Sequence, residues 1–397
     1  MTENKNPAVG KYPIAAAALG LMLTGSFIPT PLYELYRREW GLTPAEISIV
    51  FAVYAGSLIP ALLFLGGISD TVGRRKTLLV ALAIGALASL VFAVASGFWW
   101  LLVARALQGI ALGIGAGTAV AAIREWMDES MRPRAGVVAL IGISTGSALG
   151  ALIGGALGQY APHPTTLPYV VHIVLLACVA VAVATVPSCP HLAPAVHHGL
   201  PSIDPAIRRP FLLAATESFV GWATTAIFVS LLPSFLIQSL NLHNLMVGAF
   251  VVTGLQIGML SASFMGRGLA SRAAIITAML ALGGGIWVLL VAVPYHAYAL
   301  IALATLIVGF GGGVAYLAGL TIITDIAPPE RRAEIISAFL VAGYLGFSIP
   351  ALGVGIAANY VGLYTAIIGA AVILGVVAVG TMLSATDRNL KPVPAKT

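Results

Sequence analysis

Charged side chains are scarce in this chain. Asp, Glu, Lys and Arg make up 9% of its 397 residues, against roughly a quarter in ordinary soluble domains. So few charges cannot cover the surface of a water-soluble protein of this length, which excludes a globular body in water. Cysteine is scarcer still. Cys178 and Cys189 are the two present, in neither a paired nor a ligand-like spacing, which excludes a disulfide framework and a zinc site. Also missing are H-E-x-x-H, a nucleophile elbow and a Gly-Lys-Ser/Thr phosphate loop. Their absence argues against an enzyme and against a self-contained ATP-driven pump. No metal and no cofactor is expected. The N-terminal stretch MTENKNPAVGKYP has no cleavable signal pattern, since the apolar run after it is long and lacks small residues at a cleavage position.

Apolar residues are what the chain has in excess, at 59%. A bilayer crossing takes about 20 of them in a row. Twelve such stretches can be read, over 12–33, 43–65, 77–96, 98–123, 135–160, 167–187, 211–238, 244–265, 272–294, 297–323, 333–359 and 361–384. They are continuously apolar and rich in Ala, Leu and Gly, without the alternation of a membrane barrel. Helices satisfy their own backbone in lipid, so helices are predicted. The expected fold class is an all-α membrane protein, with twelve transmembrane helices in two six-helix, pseudo-symmetric bundles.

The formal net charge is +6, and its distribution points to a membrane rather than to nucleic acid. With the N-terminus in the cytoplasm and twelve alternating spans, 17 of the 20 basic residues fall on the cytoplasmic side. They run from Lys5 and Lys11 through Arg74, Arg75, Lys76, Arg124, Arg132 and Arg134, then Arg208, Arg209, Arg267, Arg272, Arg331 and Arg332, to Arg388, Lys391 and Lys396. Arg37 and Arg38 fall outside and Arg105 inside a span. That is the positive-inside bias acting loop by loop. It predicts a multi-pass plasma-membrane protein, which is the inner membrane if the source is Gram-negative, with both termini cytoplasmic. Phe98, Trp99 and Trp100 stand where an outer aromatic belt would lie.

The longest polar break, PSCPHLAPAVHHGLPSIDPAIRRP from Pro187 to Pro210, divides six spans from six. It yields a domain division of 1–190, a cytoplasmic linker over 191–209, and 210–397. His191, His197 and His198 are read as a solvated loop rather than a metal site. The halves resemble each other weakly. MRPRA opens the fifth span and PPERRAE the eleventh, and Pro31 near the outer end of the first span matches Pro233 in the seventh. Repeats of this kind recur in secondary transporters, with the binding site near midplane.

The most specific motif lies between spans two and three: Gly66-Gly-Ile-Ser-Asp70-Thr-Val-Gly73-Arg74-Arg75-Lys76. Gly66 would let another helix approach closely. Asp70 can accept backbone N–H groups or pair with an arginine. Gly73 permits a sharp turn, and Arg74, Arg75 and Lys76 anchor the loop at the lipid surface. This run resembles the major facilitator superfamily signature G-x-x-x-D-x-x-G-R-[RK] at every specified position. The resemblance implies a loop that latches two halves on the inner side. The second-half counterpart, Gly266-Arg267-Gly-Leu-Ala-Ser-Arg272, lacks the acid.

Two partial resemblances follow. Arg105-Ala-Leu-Gln108-Gly109 in span four is similar to the R-x-x-Q-G motif of proton-linked members, with a snorkelling arginine as the plainer alternative. Span five carries Gly142, Gly146, Gly150, Gly154 and Gly158 at a spacing of four, along one ridge of a helix. It resembles the antiporter motif G-x-x-x-G-P-x-x-G-G as Gly146-Ser-Ala-Leu-Gly150-Ala151-Leu-Ile-Gly154-Gly155, with Ala151 where the family has proline. That departure removes an expected kink. Close helix packing accounts for the ridge equally well.

Proton coupling is assigned to Glu217, Arg105 and Glu34. Glu217 lies inside span seven, and a carboxyl group taken out of water cycles between neutral and ionised forms at accessible pH. Glu34 is equally readable as a loop ion pair with Arg37 and Arg38. The resemblance implies that spans 1, 4, 7 and 10 line a central cavity. Thr24, Ser26, Thr30, Gln108, Thr216, Thr224, Thr225 and Tyr316 are its polar candidates beside Arg105. So little charge suits an amphiphilic or weakly charged solute. The expected partners are a small-molecule solute and the lipid bilayer, without nucleic acid and as a monomer. The expected function is a secondary active, proton-coupled exporter of small organic compounds, of the drug/proton antiporter-like group. A proton symporter or facilitator importing a nutrient, and a non-transporting receptor, are the alternatives.

Overall fold

The computed structural model describes residues 8–187, 203–240, 244–266, 269–328 and 331–386, with backbone alone at 238, 239, 332 and 333. Cys189, His191, His197, His198, Lys5, Arg267, Arg388, Lys391 and Lys396 lie outside the described residues, as does most of the expected linker. Every regular element among the described residues is helical. Twelve helices are long and apolar enough to cross a bilayer. They are Tyr12–Trp40, Pro44–Leu65, Arg74–Ala93, Phe98–Glu125, Glu129–Tyr160, Leu167–Ala184, Arg208–Ser230, Met246–Met265, Ser271–Ala292, Tyr298–Ile326, Glu334–Val361 and Leu363–Thr386. We number these spans one to twelve.

Two expected boundaries are corrected. Span one was expected to end at 33, but it runs on to Trp40 in two helical pieces, Tyr12–Phe27 and Pro29–Trp40, that meet at Ile28, where the chain keeps helical dihedrals and the prolines interrupt the bond ladder. Pro29 starts the second piece, where proline's fixed φ suits a first helical turn. Gly41 closes that piece at φ 65, the left-handed conformation glycine supplies at a helix end. Span seven was expected over 211–238. Its helix ends at Ser230, and a short helix Leu232–Ser239 follows with Pro233 in its first turn.

The described residues gather in two compact units. One holds residues up to 42, 53–199 and 248–253, and the other holds 43–52, 200–247 and 254–397. Within the first, span one packs on spans four, five and six, and span three on spans four and six. Within the second, span seven packs on ten, eleven and twelve, and span nine on ten and twelve. Every pairing recurs six spans later, so the weak sequence repeat has a packing counterpart.

Lipid tails supply no hydrophobic drive between helices, so close contact depends on small residues. The span-five ridge shows how. Gly142, Gly146, Gly150 and Gly154 rest in turn on the carbonyl groups of Ala16, Gly20, Thr24 and Ile28 of span one. A Cβ at Gly142 would stand 3.0 Å from the Ala16 oxygen, and at the other three it would overlap main-chain atoms. Thr24 Oγ1 crosses the seam to donate to the Gly146 carbonyl at 3.0 Å. Gly155 is buried on the same helix, and Ala151 is fully buried. The helix Ala135–Tyr160 runs through Ala151 without interruption. In the second unit Gly346 of span eleven takes the matching place against the Phe219 backbone of span seven.

Candidate functional site

The break in span one creates a polar demand. In an unbroken helix the amide of residue 29 would donate to the Gly25 carbonyl, and that of residue 31 to Phe27. Pro29 and Pro31 have no N–H to give. Inside a membrane such a carbonyl must find another donor. Span four supplies one. Gln108 Nε2 donates to the Gly25 oxygen at 2.7 Å. Gln108 Oε1 accepts from Arg105 Nη1 at 2.8 Å, and the same Nη1 reaches the Ser26 carbonyl at 3.0 Å. The guanidinium lies over the Tyr54 ring, 4.4 Å from its centroid. Arg105 is 1% exposed. It does not snorkel: it turns inward, where the Ser26 carbonyl, the Gln108 side-chain oxygen and an aromatic face offset the cost of a buried cation.

Behind this site stands a residue that sequence reasoning missed. His172 of span six is buried, with Nε2 2.8 Å from the Leu21 carbonyl and Nδ1 2.7 Å from Ser89 Oγ of span three. A lone histidine in an apolar run carries no local signature. In the structure its ring lies against Gly25, where a Cβ would come within 2.5 Å of the imidazole Cε1. Further out, Tyr36 and Tyr169 share a hydroxyl–hydroxyl bond of 2.9 Å, and Phe92 stacks on Tyr169 at 4.7 Å.

Glu34 is 1% exposed, and its carboxylate is taken up by Arg37 through two bonds of 2.8 Å and by Arg38 through a third. The pair expected in a loop forms on the helix Pro29–Trp40, at spacings of three and four. Thr30 is buried on the same turn.

Where span two hands over to span three, Arg74 gathers three partners. It pairs with Asp70, bonds Ser69 Oγ, and meets Glu125 with Nη2 2.9 Å from Oε1 and Nε 3.1 Å from the same atom. Glu125, at the end of span four, was not foreseen. Gly73 turns the chain at φ 98, which disfavours any side chain. Arg75 is partly buried and Lys76 exposed. At Gly66 the three atoms nearest to a Cβ all belong to Leu62, in its own preceding turn.

In the second unit the dominant feature is Glu217, fully buried in span seven, with no hydrogen-bond partner for either carboxyl oxygen among the described residues. Its helical neighbours face span ten. Gly221 lies 3.3 Å, by its Cβ position, from the Ala315 side chain, and the Ala214 carbonyl 3.4 Å from that of Gly319. Thr224 and Thr225 bond their own helix, at Val220 and Gly221. Tyr316 packs against Phe339. Among the described residues no cluster of His, Cys, Asp or Glu could hold a metal ion.

Comparison with known proteins adds the family context. The model of the Major Facilitator Superfamily matches residues 15–351. The chain is 28% identical over 130 residues to the inner membrane transport protein YnfM of Escherichia coli, covering 33% of this chain and 31% of that one. It is 36% identical over 104 residues to the multidrug resistance protein MdtL of Klebsiella pneumoniae, covering 26% of each. The alignments therefore span about a third or less of these relatives. In fold, it is similar to a bacterial homologue of the human lysosomal transporter Spinster, crystallised inward-facing and occupied. That match has a TM-score of 0.73 at 16% identity, over 94% of this chain and 96% of the other.

Proposed function

The chain belongs to the major facilitator superfamily, and on that premise we propose that it is a proton-coupled exporter of small organic compounds working by alternating access. The observation that carries the reading is Glu217. A carboxylate buried without a partner is far costlier charged than neutral, so a site of this kind is emptied and refilled with protons as its access to water changes. The multidrug name of one relative supports an organic solute and an outward direction. Arg105 and Gln108 serve the solute or proton path from span four. Residues 1–190 and 210–397 are the moving bodies, joined by the linker over 191–209. The protein works as a monomer in the inner membrane with both termini in the cytoplasm, as its charge sorting favours. A second reading, import by symport or facilitation, draws on Ala151, where antiporter-like members have proline and this helix runs uninterrupted.

The test is flux in proteoliposomes with an imposed pH gradient, ethidium as the solute probe and a trapped pH dye. Export predicts ethidium and protons moving in opposite directions, and parallel movement supports import. Glu217→Gln should leave expression intact and abolish the coupling. Full coupled exchange in that variant removes Glu217 from the mechanism.

A further inference from the structure

His172 makes no contact with the outside and is not among the groups assigned to transport, yet it ties three helices together. Its Nε2 faces a carbonyl, that of Leu21, which can only accept; Nε2 therefore carries the hydrogen. Nδ1 is then the acceptor for the Ser89 hydroxyl. The imidazole thus has a defined tautomer, oriented by span three and donating into span one. It also lies flush on Gly25, with Cε1, Nε2 and Nδ1 the three atoms nearest to where a Cβ would stand.

The segment it grips is the one that matters. Leu21 to Ser26 is the last stretch of span one before the break at Ile28. The carbonyls of Gly25 and Ser26, at the end of that stretch, receive Gln108 and Arg105 on the side of span four. With no N–H at residues 29 and 31, this part of span one has fewer backbone bonds of its own and relies more on what packs behind it. Span five holds the seam at Gly20 and Thr24 through glycine contacts, and the His172 ring supplies the atoms nearest to a Cβ at Gly25.

We infer that His172, oriented by Ser89, is a positioning residue that sets the Gly25 and Ser26 carbonyls for Gln108 and Arg105. The inference rests on the reading of Arg105 and Gln108 as working groups of the transporter. Its content is hydrogen bonding rather than bulk. Glutamine can place an N–H and an oxygen about where the two ring nitrogens stand, whereas leucine fills space and offers neither.

The experiment compares full-length wild type with His172→Leu, His172→Gln, Ser89→Ala, Gln108→Met and the double variant His172→Leu/Gln108→Met, using ethidium flux in proteoliposomes. His172→Leu should slow flux about tenfold, the size of effect a lost hydrogen bond carries, and raise the half-saturating ethidium concentration. Ser89→Ala should show a smaller loss in the same direction, and His172→Gln should stay within about twofold of wild type. The double variant should be no slower than the slower single one, because both act on the same carbonyls. Equal impairment in His172→Gln and His172→Leu, or losses that multiply in the double variant, would overturn the inference. Should wild type move no ethidium, the transport reading fails for that probe. The same variants are then read by thermal unfolding, where less-than-additive loss in the double variant upholds the positioning link and additive loss ends it.

Discussion

Replacing Gln108 by methionine keeps the length of the side chain and deletes two hydrogen bonds, one to the Gly25 carbonyl and one from Arg105. They are not equal. Arg105 keeps the Ser26 carbonyl and the Tyr54 face, and its bond to Gln108 lies within one helix, so its loss belongs at the low end. The Gly25 oxygen has no backbone donor to fall back on, because residue 29 is proline. An interhelical bond in a membrane is worth ~0.6 kcal/mol on average and ~1.7 at most, while a buried acceptor left bare costs ~1–3 kcal/mol. Together these place the destabilisation of Gln108→Met at about 2 kcal/mol. Equilibrium unfolding in mixed detergent–SDS micelles measures it. The decisive comparison is the same substitution in a Pro29→Ala background, where alanine restores an N–H that can answer Gly25. There the cost should fall by about half. An equal cost in both backgrounds, or less than about 0.5 kcal/mol in the parent, would refute the account of why Gln108 is there.

Further outcomes follow from other parts of the molecule. Gly150→Val should destabilise by about 1–3 kcal/mol or prevent assembly, because its Cβ would overlap the Thr24 backbone; Gly136→Ala, with open space around it, should be neutral in the same unfolding assay. Arg74→Lys and Glu125→Gln should each slow ethidium flux several-fold with little change in half-saturation, since a lysine cannot reproduce the guanidinium fork; a defect confined to half-saturation would count against a role in cycling. In a background free of native cysteines, residue 163 or 296 replaced by cysteine should react with an impermeant maleimide from outside the cell, and residue 129 only after permeabilisation. The reverse pattern would invert the orientation drawn from charge.

How far the sequence led depended on whether the physics was local. Twelve crossings were readable because each is a continuous apolar run whose length the bilayer dictates. The extension of span one to Trp40 was not, because Glu34, Arg37 and Arg38 read as loop charges until their pairing on a helix is seen. Arg105 and Gln108 could be picked out as polar groups in an apolar span, but what they bind is backbone, and no side-chain pattern announces a bare carbonyl. The prolines at 29 and 31 did announce it, to a reader counting missing donors. Glu125 and His172 were beyond reach for a different reason: their partners lie far along the chain, at Arg74 in one case and at Leu21 and Ser89 in the other.

The joint between spans one and four has one half written in amino acids and the other in the polymer itself. A saturation screen over Gly25 and Ser26 would change bulk and polarity but could never delete the oxygens that do the accepting. Such a map would score the two sites by steric tolerance alone and credit the chemistry to positions 105 and 108. Amide-to-ester replacement, introduced by nonsense suppression at the residue following each carbonyl, weakens the acceptor in place and, read against an ester one turn away that loses a helix N–H alone, makes the hidden partner visible.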